Sequence, residues 1–396
     1  MGDRIRAIAA PSLGTYAKSI YPPPPDDARA VVRRLRADRF ELLATARRIL
    51  TAAGRSAGLQ WGHDIHRTAK CKHVMRSAAV GVHLAPEHRA AFFSGLVTCG
   101  SVWSCPVCAA KVQERRREEI AAAIDWAHRS GLQPVLVTLT FPHRAWHALP
   151  DLLAQQADAL HRLRTGAPWQ RLKGWAGYAG LIRSLELTHG ANGWHPHTHE
   201  LWFVRRDLDA GELRARVVER WQSACARAGL LDLADDRQVE AFRRHAVDVK
   251  GNCSASDYLA KQDDAQHWGA DRELAKGSTK AGRATGLHPF ALLDRARQGC
   301  TTSAGLFVTY ALAMAGRRQL FWTHGLKALV GVAEATDEDL AELESEEADE
   351  LGRLDAEDWL TIRLAGARAQ VLDAAEVGGW PAVRALVDEL TLAEIR

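Results

Sequence analysis

The stretch Gly193-Trp194-His195-Pro196-His197-Thr198-His199-Glu200-Leu201-Trp202-Phe203-Val204 constrains the fold more than any other part of the chain. Three histidines recur with a period of two. On a β-strand that spacing sends all three imidazoles to one face, whereas on a helix they would scatter around the axis. Packed side by side on a sheet, each ring needs a polar partner, so a metal-binding or catalytic role fits better than core filling. Histidine-triad nucleotide hydrolases also alternate histidines, but with hydrophobic residues between them; Pro196, Thr198 and Glu200 argue against that class here.

The strand has a natural partner. Tyr178–His189 reads as a second strand, and Gly190-Ala191-Asn192-Gly193 as a tight turn joining the two into a β-hairpin. If Ala191 and Asn192 form the loop, Glu186 lies opposite His197; if Asn192 and Gly193 do, it lies opposite His199. In both registers Glu186 shares the histidine face. One carboxylate with two or three imidazoles suits a divalent cation acting as a Lewis acid on a phosphoryl oxygen, with Glu186, His195, His197 and His199 as candidate ligands and Mg2+ or Mn2+ as the cation.

Upstream, Gln133–Phe141 is a β-branched run that reads as a buried strand, and Ala109–Arg129 as a helix. Leu149–Leu172, Ala210–Ala228 and the residues from Phe290 onward carry helical patterns, as does Ala28–Ala53; a short strand is expected near Ala246–Val249. Lys276–Gly286 is a flexible basic loop whose Lys276, Lys280 and Arg283 are candidate DNA contacts; its second glycine is not followed by Lys and Ser or Thr, so it is no P-loop.

The net charge of +4 hides an asymmetry. Glu334–Arg396 holds 18 acidic and 5 basic residues, a net of −13, which leaves +17 on Met1–Ala333. A body that basic suits a polyanion. The start, MGDRIRAIAAPSLG, has no apolar run suited to a secretory signal, and no segment offers the roughly 20 apolar residues of a membrane span, so a cytoplasmic protein with no membrane partner is expected. Four of the seven cysteines precede residue 110: Cys99, Cys105 and Cys108 have the spacing of a zinc knuckle, with Cys71 as the fourth ligand to a structural Zn2+ and His73 or His83 as substitutes.

Three blocks in order resemble the HUH endonucleases, specifically the rolling-circle plasmid replication initiators: Thr138-Leu139-Thr140, His195-Pro196-His197-Thr198-His199 and Tyr258-Leu259-Ala260-Lys261. A further stretch, Gly316–Trp322 and on to Lys327, is similar to what these initiators carry beyond the nuclease core. The resemblance covers roughly residues 65 to 332. It implies a central antiparallel sheet with helices on one side, a divalent metal on the sheet and a tyrosine helix over it. It also implies nicking of plasmid origin DNA by Tyr258, assisted by Lys261, to leave a 5′-phosphotyrosine and a 3′-hydroxyl primer for a host polymerase, with a host helicase as partner. Some single-tyrosine relatives place a glutamate one helical turn before the tyrosine; this chain has Ser254, so the resemblance does not assign the terminating step.

An α+β protein is therefore expected. Residues 1–60 would be an N-terminal extension, 61–130 a Cys-rich zinc module and helix, 131–333 the nuclease domain with its C-terminal helical segment, and 334–396 an acidic tail, helical or partly disordered and dispensable for nicking. A relaxase or single-strand transposase would share the same residues. A zinc-dependent DNA-binding regulator without nuclease activity is the alternative from another class. Oligomeric state is not legible in the sequence.

Overall fold

The computed structural model describes residues 26–60, 65–85, 89–253, 286–342 and 348–394. By its internal contacts the chain divides into two units. One holds the described residues of Met1–Glu41, Lys70–Thr98 and Glu342–Arg396; the other holds Leu42–Ala69 and Cys99–Ala341. Helix α1 (Asp26–Ser56) opens the described chain, followed by strands β1 (Val80–Ala85) and β2 (Ala90–Phe93) of the first unit.

The second unit is built on five strands. After α2 (Pro106–Arg129) come β3 (Leu132–Leu139), α3 (Leu149–Leu163), α4 (Gly166–Ala176), β4 (Gly180–Gly190), β5 (Gly193–Arg205), α5 (Ala210–Arg227), α6 (Asp236–His245) and β6 (Val247–Lys250). Beyond residue 285 follow α7 (Pro289–Arg297), α8 (Thr301–Ala313), β7 (Leu320–Trp322), α9 (Leu326–Val330) and α10 (Asp337–Glu342). The sheet order is β6-β3-β5-β4-β7, antiparallel throughout, so the histidine strand β5 is central. A single helix was expected over 149–172; the chain instead breaks near Gly166, which takes φ 76°.

Helices cover both faces of this sheet, not one. On the histidine side, Ile120, Ile124 and Ala127 of α2 pack against Leu136, Ile182, Leu201 and Phe203. This apolar layer fills the half of the face that the histidines do not. On the reverse side Trp169 of α4 meets Trp202 edge-on, with ring centroids 5.7 Å apart. Glu200, fully buried there, pairs with Arg164 and accepts a 2.8 Å hydrogen bond from the Trp202 indole. Strand alternation thus sends Glu200 away from the histidines.

The C-terminal segment is helical over Ala356–Leu364 and Arg368–Glu394, and it also contains a strand that the sequence did not signal. Strand β8 (Asp349–Leu354) pairs antiparallel with β1, giving a three-stranded sheet β2-β1-β8, and α11 (Ala356–Leu364) and α12 (Arg368–Glu394) follow. Trp359 packs edge-on against Phe93 with centroids 5.2 Å apart, and its indole donates to the His73 carbonyl at 3.1 Å. Gly352 makes room for Trp380, whose ring would lie 2.4 Å from a Cβ at that position. The acidic charge is partly spent inside the unit: Arg36 of α1 pairs with Asp373 at 2.8 Å and with Glu376. A chain ending at Ala341 should therefore lose amide-exchange protection across Val80–Phe93, because β1 loses a hydrogen-bonded neighbour and Phe93 its aromatic partner. Unchanged exchange there would mean that β8 contributes nothing to that sheet.

Among the described residues, no helix is long and apolar enough to cross a membrane.

Candidate metal centre

The hairpin adopts the first of the two registers, with Gly190 opposite Gly193 and Glu186 opposite His197. Ala191 and Asn192 keep negative φ, and the positive value falls on Gly193 at 81°. Glycine is required there twice over, since a Cβ would also come within 2.9 Å of the Ala145 Cα. His195 pairs with Thr188, and His199 lies between Ser184 on β4 and Thr138 on β3.

Glu186, His197 and His199 present ligand atoms that lie within 4.8 Å of one another. His197 Nε2 is 3.4 Å and His199 Nε2 3.3 Å from Glu186 Oε2. These are ion-pair contacts, and neither buried Glu186 oxygen has a hydrogen-bond partner. Burial pushes the Glu186 carboxyl up, but the two facing histidines outweigh it and hold it far below the ordinary carboxylate range. Two contacts of that length leave a buried carboxylate short of hydrogen bonds, a deficit that a cation between the carboxylate and the two imidazoles would offset.

The other ring nitrogens are already committed. His197 Nδ1 donates to the His195 carbonyl at 3.2 Å, and His199 Nδ1 sits 3.0 Å from Thr138 Oγ1. His197 Nδ1 thus carries a proton, and the Nε2 atoms of both rings face Glu186; once they give up the protons that pair with the carboxylate, these are the nitrogens a cation would take, with Nδ1 held from outside as for metal-bound histidine. An oxygen with two imidazole nitrogens suits a divalent first-row cation or Mg2+ with open positions. The residues present fit the cation expected from the sequence.

His195 lies outside that trio. Its Nε2 is 2.5 Å from Thr140 Oγ1, and its ring stacks between His143 and His197, with centroids at 4.6 and 4.8 Å. Burial, reinforced by the charges of His197, His143 and His199, lowers its pKa to about 3, so it stays neutral. Thr138 and Thr140 thus each hold a histidine, a role that their period-two spacing on the neighbouring strand could have signalled. His143 and His288 were not singled out in the sequence. His288 shares a small cavity with Glu186, Thr188 and Tyr310, and burial lowers its pKa to about 4.

Two tyrosines are described: Tyr310 is a core residue and Tyr178 is half-buried. Tyr178 packs edge-on against Trp169 and Trp202, and burial raises its pKa to about 12; burial also pushes the fully enclosed Tyr310 upward. Tyr258, Lys261, Lys276, Lys280 and Arg283, with Ser254, lie outside the described residues.

In the second unit the thiols of Cys99, Cys105 and Cys108 are buried and lie within 4.8 Å of one another. Cys105 caps α2, its sulfur accepting from the Cys108 amide at 3.4 Å, so the helix N-terminus favours the thiolate. The Cys99 and Cys108 sulfurs are 3.8 Å apart, far beyond a disulfide and close to the edge of about 3.8 Å that Zn–S bonds of about 2.3 Å give a tetrahedron. Cys71, also buried, belongs to the first unit.

Fold and site together define an α+β protein whose central antiparallel sheet carries a carboxylate–imidazole group able to hold a cation, beside a separate thiol cluster. The chain belongs to the replication protein family, which it matches over residues 96–368. It is 29% identical over 310 residues to Protein rep of Streptomyces lividans, covering 62% of this chain and 67% of that protein. It is also 33% identical over 190 residues to a neomycin resistance protein of Streptomyces cyanogenus, covering 39% of this chain and 43% of that one. No solved structure matches the chain.

Proposed function

We propose that this chain is a plasmid replication initiator of the HUH endonuclease class, which binds origin DNA and nicks one strand by tyrosine attack. The observation that carries it is the buried Glu186 carboxylate, without a hydrogen-bond partner and faced by the Nε2 atoms of His197 and His199, on the central sheet of a replication protein. These three residues would hold Mg2+ or Mn2+, and the cation would supply Lewis-acid stabilisation of charge on the transferring phosphate.

Tyr258 is the nucleophile. Its phenolate oxygen bonds to phosphorus as the bond to the 3′ oxygen breaks, and that oxygen takes a proton to become the 3′-hydroxyl. The phosphotyrosine conserves the bond energy, so rejoining needs no ATP. Lys261, three positions on, favours the phenolate or holds a phosphate. Lys276, Lys280 and Arg283 contact the DNA backbone, and the 3′-hydroxyl serves a host polymerase behind a host helicase in the cytoplasm.

A nicking assay on supercoiled plasmid carrying the DNA that flanks this gene tests the proposal. Relaxed circles with protein joined to the 5′ end, lost on chelation, are expected. Tight binding without a nick would favour a zinc-dependent DNA-binding regulator.

The thiols would hold a structural Zn2+ through Cys71, Cys99, Cys105 and Cys108, distinct from the cation on the sheet because thiolates and the oxygen–imidazole group prefer different metals. Replacing Cys105 and Cys108 together with Ser should remove the protein's zinc and lower its melting temperature. Full zinc content by mass spectrometry with an unchanged melting curve would show that these cysteines bind none.

A further inference from the structure

We propose that the loop from Pro142 to Ala148 is a stacking platform for single-stranded DNA beside the metal centre, with Trp146 as the ring that receives a base. This rests on the nicking function above. Trp146 is 78% exposed, more than any other large hydrophobic side chain among the described residues. An indole standing in water forgoes the burial that aromatic side chains ordinarily contribute.

The loop is held rigidly enough to present that ring. The Arg144 carbonyl accepts from the His147 amide at 3.1 Å, and the Arg144 amide donates to His147 Nδ1 at 3.2 Å, closing a turn with Ala145 and Trp146 at its corner. His143 stacks on His195, and the Ala145 backbone lies against Gly193 at the hairpin tip. The loop is thus pinned to the histidine strand at two points. A loop backbone pinned in this way loses little freedom when a ligand arrives.

Its position and charge select the ligand. The loop leaves β3 directly after Thr138 and Thr140, which hold His199 and His195, so a strand whose phosphate reaches the metal centre passes the loop. Thr140–Pro150 contains no acidic residue, and the exposed Arg144 stands two positions from the indole. A flat aromatic face in a loop that also carries an exposed guanidinium matches a base and its phosphate, and stacking of this kind is available only when the base is unpaired.

The test is fluorescence anisotropy with a labelled single-stranded 20-mer of random sequence, without a divalent cation so that nothing is cut, alongside the same DNA as a duplex. Trp146→Ala should raise the single-strand Kd by about 5- to 150-fold, the range for loss of one stacked base, and leave the duplex Kd unchanged. Trp146→Phe should keep most of the affinity. An unaltered single-strand Kd in Trp146→Ala, or an equal loss on duplex, would overturn the proposal. So would loss of self-association by Trp146→Ala in sedimentation, which would make the ring a contact with a second copy. A wild type that binds neither DNA would refute the nicking function itself.

Discussion

His197→Ala and His199→Ala should each lower nicking by about 1,000-fold or more, equivalent to about 4 kcal/mol of transition-state stabilisation, while leaving most of the DNA affinity intact. The phosphate in flight gains charge that a cation on Glu186, His197 and His199 neutralises, whereas binding draws on basic surface elsewhere and keeps its salt dependence. Comparable loss of binding at moderate salt would mark the metal as structural. Glu186→Gln separates the roles further. The neutral amide keeps the shape of Glu186 but not the charge that faces His197 and His199, so the readout is the gain in stability on adding a cation rather than the stability without one. With Mn2+ at about 100 times its Kd the wild type should gain about 2.7 kcal/mol and the variant almost nothing. A wild-type melting curve indifferent to every divalent cation would show that the trio binds none.

The hairpin was legible because both of its signals are local. Period-two histidines and a Gly-Ala-Asn-Gly turn set strand, face and partner, and Glu186 fell on the histidine face in either register. What chose between registers is not local: Gly193 lies against Ala145, which the chain reaches 48 positions earlier. Spacing also treats His195, His197 and His199 as equivalent. Only the neighbouring strand distinguishes them, because Thr140 takes the nitrogen of His195 that would otherwise face a cation, while Thr138 takes the opposite nitrogen of His199.

The C-terminal segment shows why charge counts mislead. Its −13 reads as a solvated tail when summed along the chain, yet Arg36 meets Asp373 and Glu376 inside one unit, and Arg76 meets Glu342 at 2.9 Å. Part of the basic excess assigned to DNA is therefore already neutralised by protein. Strand β8 was invisible for a related reason: its partner β1 lies about 270 residues earlier, and no local pattern encodes a pairing at that separation.

Tyr258→Phe is expected to have the largest effect of all, a fall in nicking of about 10,000-fold or more, because it deletes the attacking oxygen and nothing else. Fold, cation affinity and DNA affinity should survive, since phenylalanine keeps the ring. The chain has five tyrosines, and the structure removes two from contention: Tyr310 sits in the core and Tyr178 is half-buried against Trp169 and Trp202, and burial raises the pKa of both phenols. Of the others, Tyr258 alone is followed three positions later by a lysine within the motif shared with the initiators, and it alone lies inside the region matched to the family, residues 96–368. Wild-type protein given an uncleaved oligonucleotide spanning its origin, labelled at the scissile phosphate, and a divalent cation should carry the label through denaturing electrophoresis, and peptide mapping should find it on Tyr258. Label on Tyr16 or Tyr21 would move the nucleophile and keep the chemistry. Cleavage with no covalent species would instead require water as the nucleophile, and the Glu186–histidine trio would then belong to a hydrolytic metallonuclease.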